Sequence, residues 1–213
     1  MIKKMFFLTL GLIVILTGCS RNKDDYSLYN EVYKNADYIR LYDRALSEVR
    51  GAFAYITDDD MPELLVSDGD YEAARVSVFT VNDGKIEYIG TFGSWCGRID
   101  FVEKRSYIES GYGNHGGFYS IYTDISDGVK LVGDLFSIDR VDGTTLYYAD
   151  FSEEGLNGDN RFDYLMYSVP DEYAVSEEEY NKRLDELENM KSGTWQHVSY
   201  GEMQDIETLV GEK

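Results

Sequence analysis

Between Tyr55 and Val66 the chain reads YITDDDMPELLV: three aspartates, a proline and a glutamate, then an apolar run. Calcium takes about six to eight oxygens at roughly 2.3–2.6 Å, and alternate positions of a tight loop can supply them. Counted back from Glu63, those positions fall on Tyr55, Thr57, Asp59, Met61 through its carbonyl, and Glu63. Only Asp59 and Glu63 are carboxylates, and Asp60 stands where a tight turn would take glycine. A register shifted by one would use Asp58 and Asp60 with Glu63 in a looser site. The spacing is that of a degenerate calcium loop, with Ca2+ at Thr57, Asp59, Met61 and Glu63 as one expectation. The other is an acidic turn whose aspartate side chain accepts from nearby backbone amides. A second acidic stretch, Glu153–Asp163, offers Asn157, Asp159 and Asp163, and reads more simply as a polar loop.

Other chemistry has few carriers. The only histidines are His115 and His197. His115 sits in GYGNHGG, where the glycines would admit a ligand close to backbone or simply form a turn between strands. No G-x-S-x-G, H-E-x-x-H or phosphate loop with its lysine is present. Forty acidic residues could supply a carboxylate pair for glycoside hydrolysis, yet so many acids make chance pairs common. Trp95 and the tyrosines could stack on sugar rings, although aromatics on strands usually belong to a core. Cys96, in SWCG, reads as a small buried hydrophobe rather than a nucleophile. No catalytic residue is assigned, and the chain is read as a non-enzyme.

The ends of the chain speak of location. MIKK is followed by an apolar run, Met5–Leu16, and then by LTGC. A cationic start, a short apolar segment and small residues before the cut mark a secretory signal. The Leu-Thr-Gly-Cys ending resembles a bacterial lipobox, which implies cleavage before Cys19 and a diacylglyceryl group, with palmitate-type chains, on its sulfur. The run is shorter than the roughly 20 residues of a spanning helix, whereas two acyl chains anchor stably. The expected organisation is a signal peptide over 1–18, a lipidated tether over 19–29 and a single β-rich domain over 30–213, held at the extracellular face of the cell membrane. Without Lys3 and Lys4 the formal net charge moves from -20 to -22. That excess excludes nucleic acid as a partner, since phosphate binding needs basic patches, and disfavours docking flat on anionic lipid.

Nineteen Tyr, ten Phe and two Pro suit a sheet-rich body. Tyr38, Leu41, Tyr42 and Ala45 fall at helical spacing within a helix expected over 30–49, with Gly51 as its stop. Strands are expected at Phe53–Ile56, Glu63–Ser67, Ala74–Val81 and Ile86–Phe92, the last two joined by an Asn-Asp-Gly-Lys turn. VSVFTVNDGKIEYIG and YSIYTDISDGVKLVG repeat this pattern about 43 residues apart, with a hairpin over FVEK and SYIES between them. A weaker third pass joins Thr144–Phe151 to Arg161–Val169. Four strands in roughly 40–45 residues is the size of a propeller blade, but two copies do not close a propeller. The fold class is therefore mainly β with flanking helices (α+β), an antiparallel meander of blade-like hairpins. A second helix is expected over Val175–Gly193, opened by a capping box of Ser176 and Glu179. A short strand at TWQHVSY and a last helix at GEMQDIETLV follow.

This order of helix, apolar strand, Pro-Glu-Leu turn, Asp-Gly hairpins and V-S-E-E-E-Y helix resembles a group of lipoproteins of Gram-positive (Firmicutes) bacteria. Their turn typically reads D-x-D-x-D-G-x-P-E-L, a spacing similar to calcium loops of dockerins and integrin-type blades. The resemblance spans about Asp37 to Ile206 and implies location and architecture but no activity. The functional expectation is a membrane-anchored module that binds an extracellular ligand or envelope protein. The alternative is a secreted carboxylate-dependent, glycosidase-like hydrolase, which needs a cleft holding an acid of raised pKa.

Overall fold

A computed structural model describes residues 26–30, 32, 48–67, 69–71, 74–93, 96–114, 116–150 and 171–210. The expected signal segment with Cys19, most of the helix expected over 30–49, Trp95, His115, the Glu153–Asp163 stretch and the strand expected at Arg161–Val169 lie outside the described residues.

The fold is mainly β. The strands are β1 (Arg50–Ala54), β2 (Glu63–Ser67), β3 (Val76–Asn82), β4 (Lys85–Phe92), β5 (Ile99–Val102), β6 (Tyr107–Asn114), β7 (Gly117–Asp124), β8 (Lys130–Asp139), β9 (Thr145–Ala149), β10 (Trp195–Val198) and β11 (Gln204–Asp205). Among the described residues the α-helices with full bounds are α1 (Glu177–Glu188) and α2 (Ile206–Val210). The strands form a five-stranded sheet of order β11-β1-β2-β3-β4 and a six-stranded sheet of order β10-β5-β6-β7-β8-β9, every pair antiparallel.

Each sheet is a meander, and the repeated hairpins occupy matching places. β3–β4 and β7–β8 are the fourth and fifth strands in the order of their own sheets, and each pair carries a bulge, at Val78/Phe79 and at Tyr122/Thr123. The two blade-like sheets do not close into a ring. The third pass contributes β9 as the last strand of the second sheet instead of opening a new one. Asp83 and Gly84 both have positive φ, 49° and 73°. That is the turn whose twist matches the flanking strands, and it explains the Asp-Gly pair.

The sheets pack face to face. Leu65, Val76, Val78 and Phe92 of the first meet Ile99, Phe101 and Ile108 of the second, with Met203 between them. Leu64, Val66 and Phe79 face the other way, onto Tyr29, Val32, Ile206 and Val210. Strand β2 is therefore buried along its whole length, as its unbroken apolar run requires. The outer face of the second sheet is covered by α1, where Leu184, Leu187 and Tyr180 lie on Val102, Tyr107, Tyr122 and Leu135. Ser176 and Glu179 form the expected capping box, with the Glu179 amide donating to Ser176 Oγ at 3.2 Å and the Ser176 amide donating to Glu179 at 3.0 Å.

Residues 195–210 serve both sheets. β10 pairs with β5, β11 pairs with β1, and Met203 between them enters the shared core. Tyr200 Oη donates to the Glu48 carbonyl at 2.6 Å.

Several expectations need correction. Gly51 is not a helix stop; it lies inside β1, where an added Cβ would meet Ile206 and Leu209 at about 3 Å. The first strand accordingly runs Arg50–Ala54, not Phe53–Ile56. Helix α1 ends at Glu188, with Asn189 as C-cap, and Gly193 instead lets the chain pass close over Val102. GEMQDIETLV is not one helix but a short turn of 3-10 helix (Tyr200–Glu202), β11 and the brief α2. Cys96 is half-buried at a positive φ of 61°, in a turn and not in the core.

One ion pair has a pH signature. Lys191 Nζ lies 2.7 Å from Asp124 Oδ2, and the Ser126 amide donates to Oδ1 at 2.8 Å. Burial opposes ionisation of Asp124, but these donors outweigh it and bring its carboxyl down to about 2. A carboxyl depressed in the folded state stabilises above its unfolded value, and that contribution is lost as pH falls through the folded one. Asp124→Asn is thus expected to flatten the loss of stability between the ordinary aspartate value and about pH 2, in urea unfolding repeated across that range.

Candidate functional site: an acidic loop and the mouth between the sheets

The acidic loop leaves β1 at Tyr55 and returns into β2 at Glu63. Ile56 is fully buried in the inter-sheet core, and Tyr29 Oη donates to the Pro62 carbonyl at 2.6 Å, so both ends are fixed. The loop docks on the β5–β6 turn of the opposite sheet. The Lys104 amide donates to the Tyr55 carbonyl at 2.9 Å, and the Ser106 amide donates to the Ile56 carbonyl at 2.7 Å. The Lys104 ammonium sits 5.1 Å from the Tyr55 ring centroid and 3.7 Å from Asp60. Tyr55, the first position of the expected ligand series, is thus engaged in tying the sheets together.

Glu63 is wholly buried, and its carboxylate closes the loop. Oε2 accepts from the amides of Ile56 at 2.7 Å and Thr57 at 3.2 Å, and Oε1 accepts from Thr57 Oγ1 at 2.5 Å and, at 3.5 Å, from Thr80 Oγ1. Burial pushes the Glu63 carboxyl above its ordinary value, and the Thr57 and Ile56 donors pull it back only in part. Asp59 Oδ1 accepts from the Met61 amide at 2.8 Å, the acidic turn read from the sequence. The Met61 side chain packs on the cluster around Leu64 and Phe79.

In this structure the expected ligands are engaged with one another and with backbone amides. The structure brings Thr57 and Glu63 together, but Thr57 donates to Glu63 where an aspartate would share a cation with it. Asp58, Asp59 and Asp60 are exposed. Among the described residues no three His, Cys, Asp or Glu side chains are grouped to hold a metal ion.

Beside the loop, the two sheets part and leave a cleft of about 510 Å³. One wall is the loop at Thr57–Asp59; another is the β3–β4 hairpin, with Thr80, Glu87, Tyr88 and Ile89; the third is the Ser126–Val129 turn before β8. Ser106 and Ile125 also line it. Asp58, Asp59, Glu87 and Asp127 bring four carboxylates to the lining, and no described lining residue is basic. Asp127 is paired with Lys130 at 2.9 Å, outside the lining. Tyr88 and Val129 are 43% and 54% exposed, large for apolar surface, and they sit on opposite walls. The Tyr88 ring is held 5.5 Å from Phe79, and its hydroxyl hydrogen-bonds Thr91 at 2.5 Å.

A second group lies on the outer side of the second sheet. Register sets His197, Asp100, Glu109 and Tyr122 side by side across β10, β5, β6 and β7. Arg98 donates to Asp100 through Nε at 2.8 Å and Nη2 at 2.5 Å. Burial raises the Glu109 carboxyl, Ser120 lowers it through a hydrogen bond, and the Asp100 charge raises it further. No sequence signal reveals this row, because strand register alone aligns residues so far apart in the chain. The cleft was missed for the same reason: its walls come from three separate turns.

No family model, curated protein or solved structure matches the chain.

Proposed function

We propose that the protein is a non-catalytic binding module, anchored by lipid on Cys19 at the extracellular face of the membrane, and that its ligand enters the mouth cleft beside the acidic loop. The cleft carries this reading. Its volume lies within the range of sites that enclose small ligands or a few residues of a larger one. Its walls are set by fixed elements, because the Glu63 hydrogen bonds and the Lys104 contacts hold the loop. The lipobox-like LTGC supports the anchor, and no described helix is long and apolar enough to cross a membrane.

The alternative hydrolase reading has one observation in its favour, the raised Glu109 carboxyl directly opposite Asp100. The test covers both. Labelled palmitate should be incorporated by the full chain and lost in Cys19→Ala. Glycan and peptide arrays should return binding that Tyr88→Ala reduces about tenfold, with no cleavage product. Hydrolysis that disappears in Glu109→Gln would instead establish the enzyme.

A further inference from the structure

We infer that the occupant of the cleft is an extended peptide bearing lysine or arginine, laid along the free edge of β4; this rests on the cleft being the binding site. Charge is the first argument. Asp58, Asp59 and Glu87 face a space lined by no described basic side chain, so a cationic group would enter with favourable Coulomb energy. Tyr88 of the same strand as Glu87 also lines the space, with its ring 5.5 Å from Phe79. Apolar surface is the second argument. Ile89 and Val129 offer a bed for the methylene stem of a lysine or arginine, whose head stays at the acidic rim.

The third argument selects a peptide over a diffusible amine. Strand β4 ends its sheet and pairs on one side only among the described residues. Glu87, Tyr88 and Ile89 of that strand line the cleft. An added strand would take main-chain hydrogen bonds from β4 and send alternate side chains toward the Glu87 and Ile89 face. An amine would gain nothing from that edge.

The experiment uses the full chain in detergent and a fluorescein-labelled Lys-Val-Lys-Val-Lys peptide, read by anisotropy. Binding should weaken by at least about tenfold in Glu87→Lys/Asp127→Lys and with rising salt, because the attraction is electrostatic. Both positions are exposed, so the melting temperature should be unchanged, which separates lost binding from lost fold. A peptide methylated on alternate backbone nitrogens should also lose about tenfold. Equal binding of the methylated peptide, or displacement by spermidine as effective as by unlabelled peptide, would overturn the strand pairing. No binding of the basic peptide would overturn the ligand class; array binding still sensitive to Tyr88→Ala would then leave the cleft standing. Loss of both signals would remove the cleft as well.

Discussion

Replacing Glu63 by alanine is expected to destabilise the fold by roughly 3 kcal/mol, because it leaves buried donors without an acceptor. The amides of Ile56 and Thr57 both end on Oε2, at a residue with no exposed surface. Glu63→Gln should be milder, about 1 kcal/mol. The amide oxygen can still accept from the two backbone groups, and the Thr57 hydroxyl can rotate to accept from the new NH2. The pH dependence follows from burial. The folded-state carboxyl lies above its unfolded value, so its favourable contribution is complete at acid pH and is lost as pH rises through the folded value. Glutamine does not titrate, so the gap between wild type and Glu63→Gln should narrow as pH increases. Urea unfolding at several pH values checks both claims, and melts in EDTA and in millimolar calcium should coincide. A calcium-dependent rise in melting temperature would show that Glu63 exchanges its hydrogen bonds for a metal.

Leu187→Ala is expected to cost about 3 kcal/mol through the cavity it leaves under α1. Leu187 is fully buried among Val102, Tyr107, Tyr122 and Leu135, and its carbonyl accepts from Tyr107 Oη at 3.1 Å. Leu187→Met conserves volume and should stay under about 1.5 kcal/mol. Loosening α1 also opens the neighbourhood of Glu109, whose carboxyl is raised chiefly by burial. In the alanine variant its titration, followed by NMR, should move toward the ordinary glutamate value, while the methionine variant leaves it in place.

Local grammar was legible where one short stretch decides the outcome. The Ser176 and Glu179 box, the Asp83-Gly84 turn and the apolar stripe of Tyr180, Leu184 and Leu187 all appear as read. Gly51 and Gly193 misled because a glycine that makes room for a neighbour looks, in sequence, like one that ends a helix; the neighbours, Ile206 and Val102, are remote in the chain. The acidic loop was legible as a shape, and Thr57 and Glu63, two of its expected ligand positions, do come together, as a hydrogen-bonded pair. That Thr57 would donate to Glu63 depended on how deeply Glu63 is buried. That depth is set by the opposite sheet and by Thr80, which the loop sequence does not contain.

The pairing of residues 195–210 with both sheets has a consequence for the order of events during folding. Strand β1 emerges early, yet one of its two edges waits for β11, and β5 waits for β10. The loops that must close are among the longest the chain can make, so these contacts come late and slow the overall reaction. Until then both meanders present open edges, of the kind that recruit stray strands. The protein therefore passes through an interval in which its two halves are formed but unfastened, and the last segment to arrive acts as the clasp.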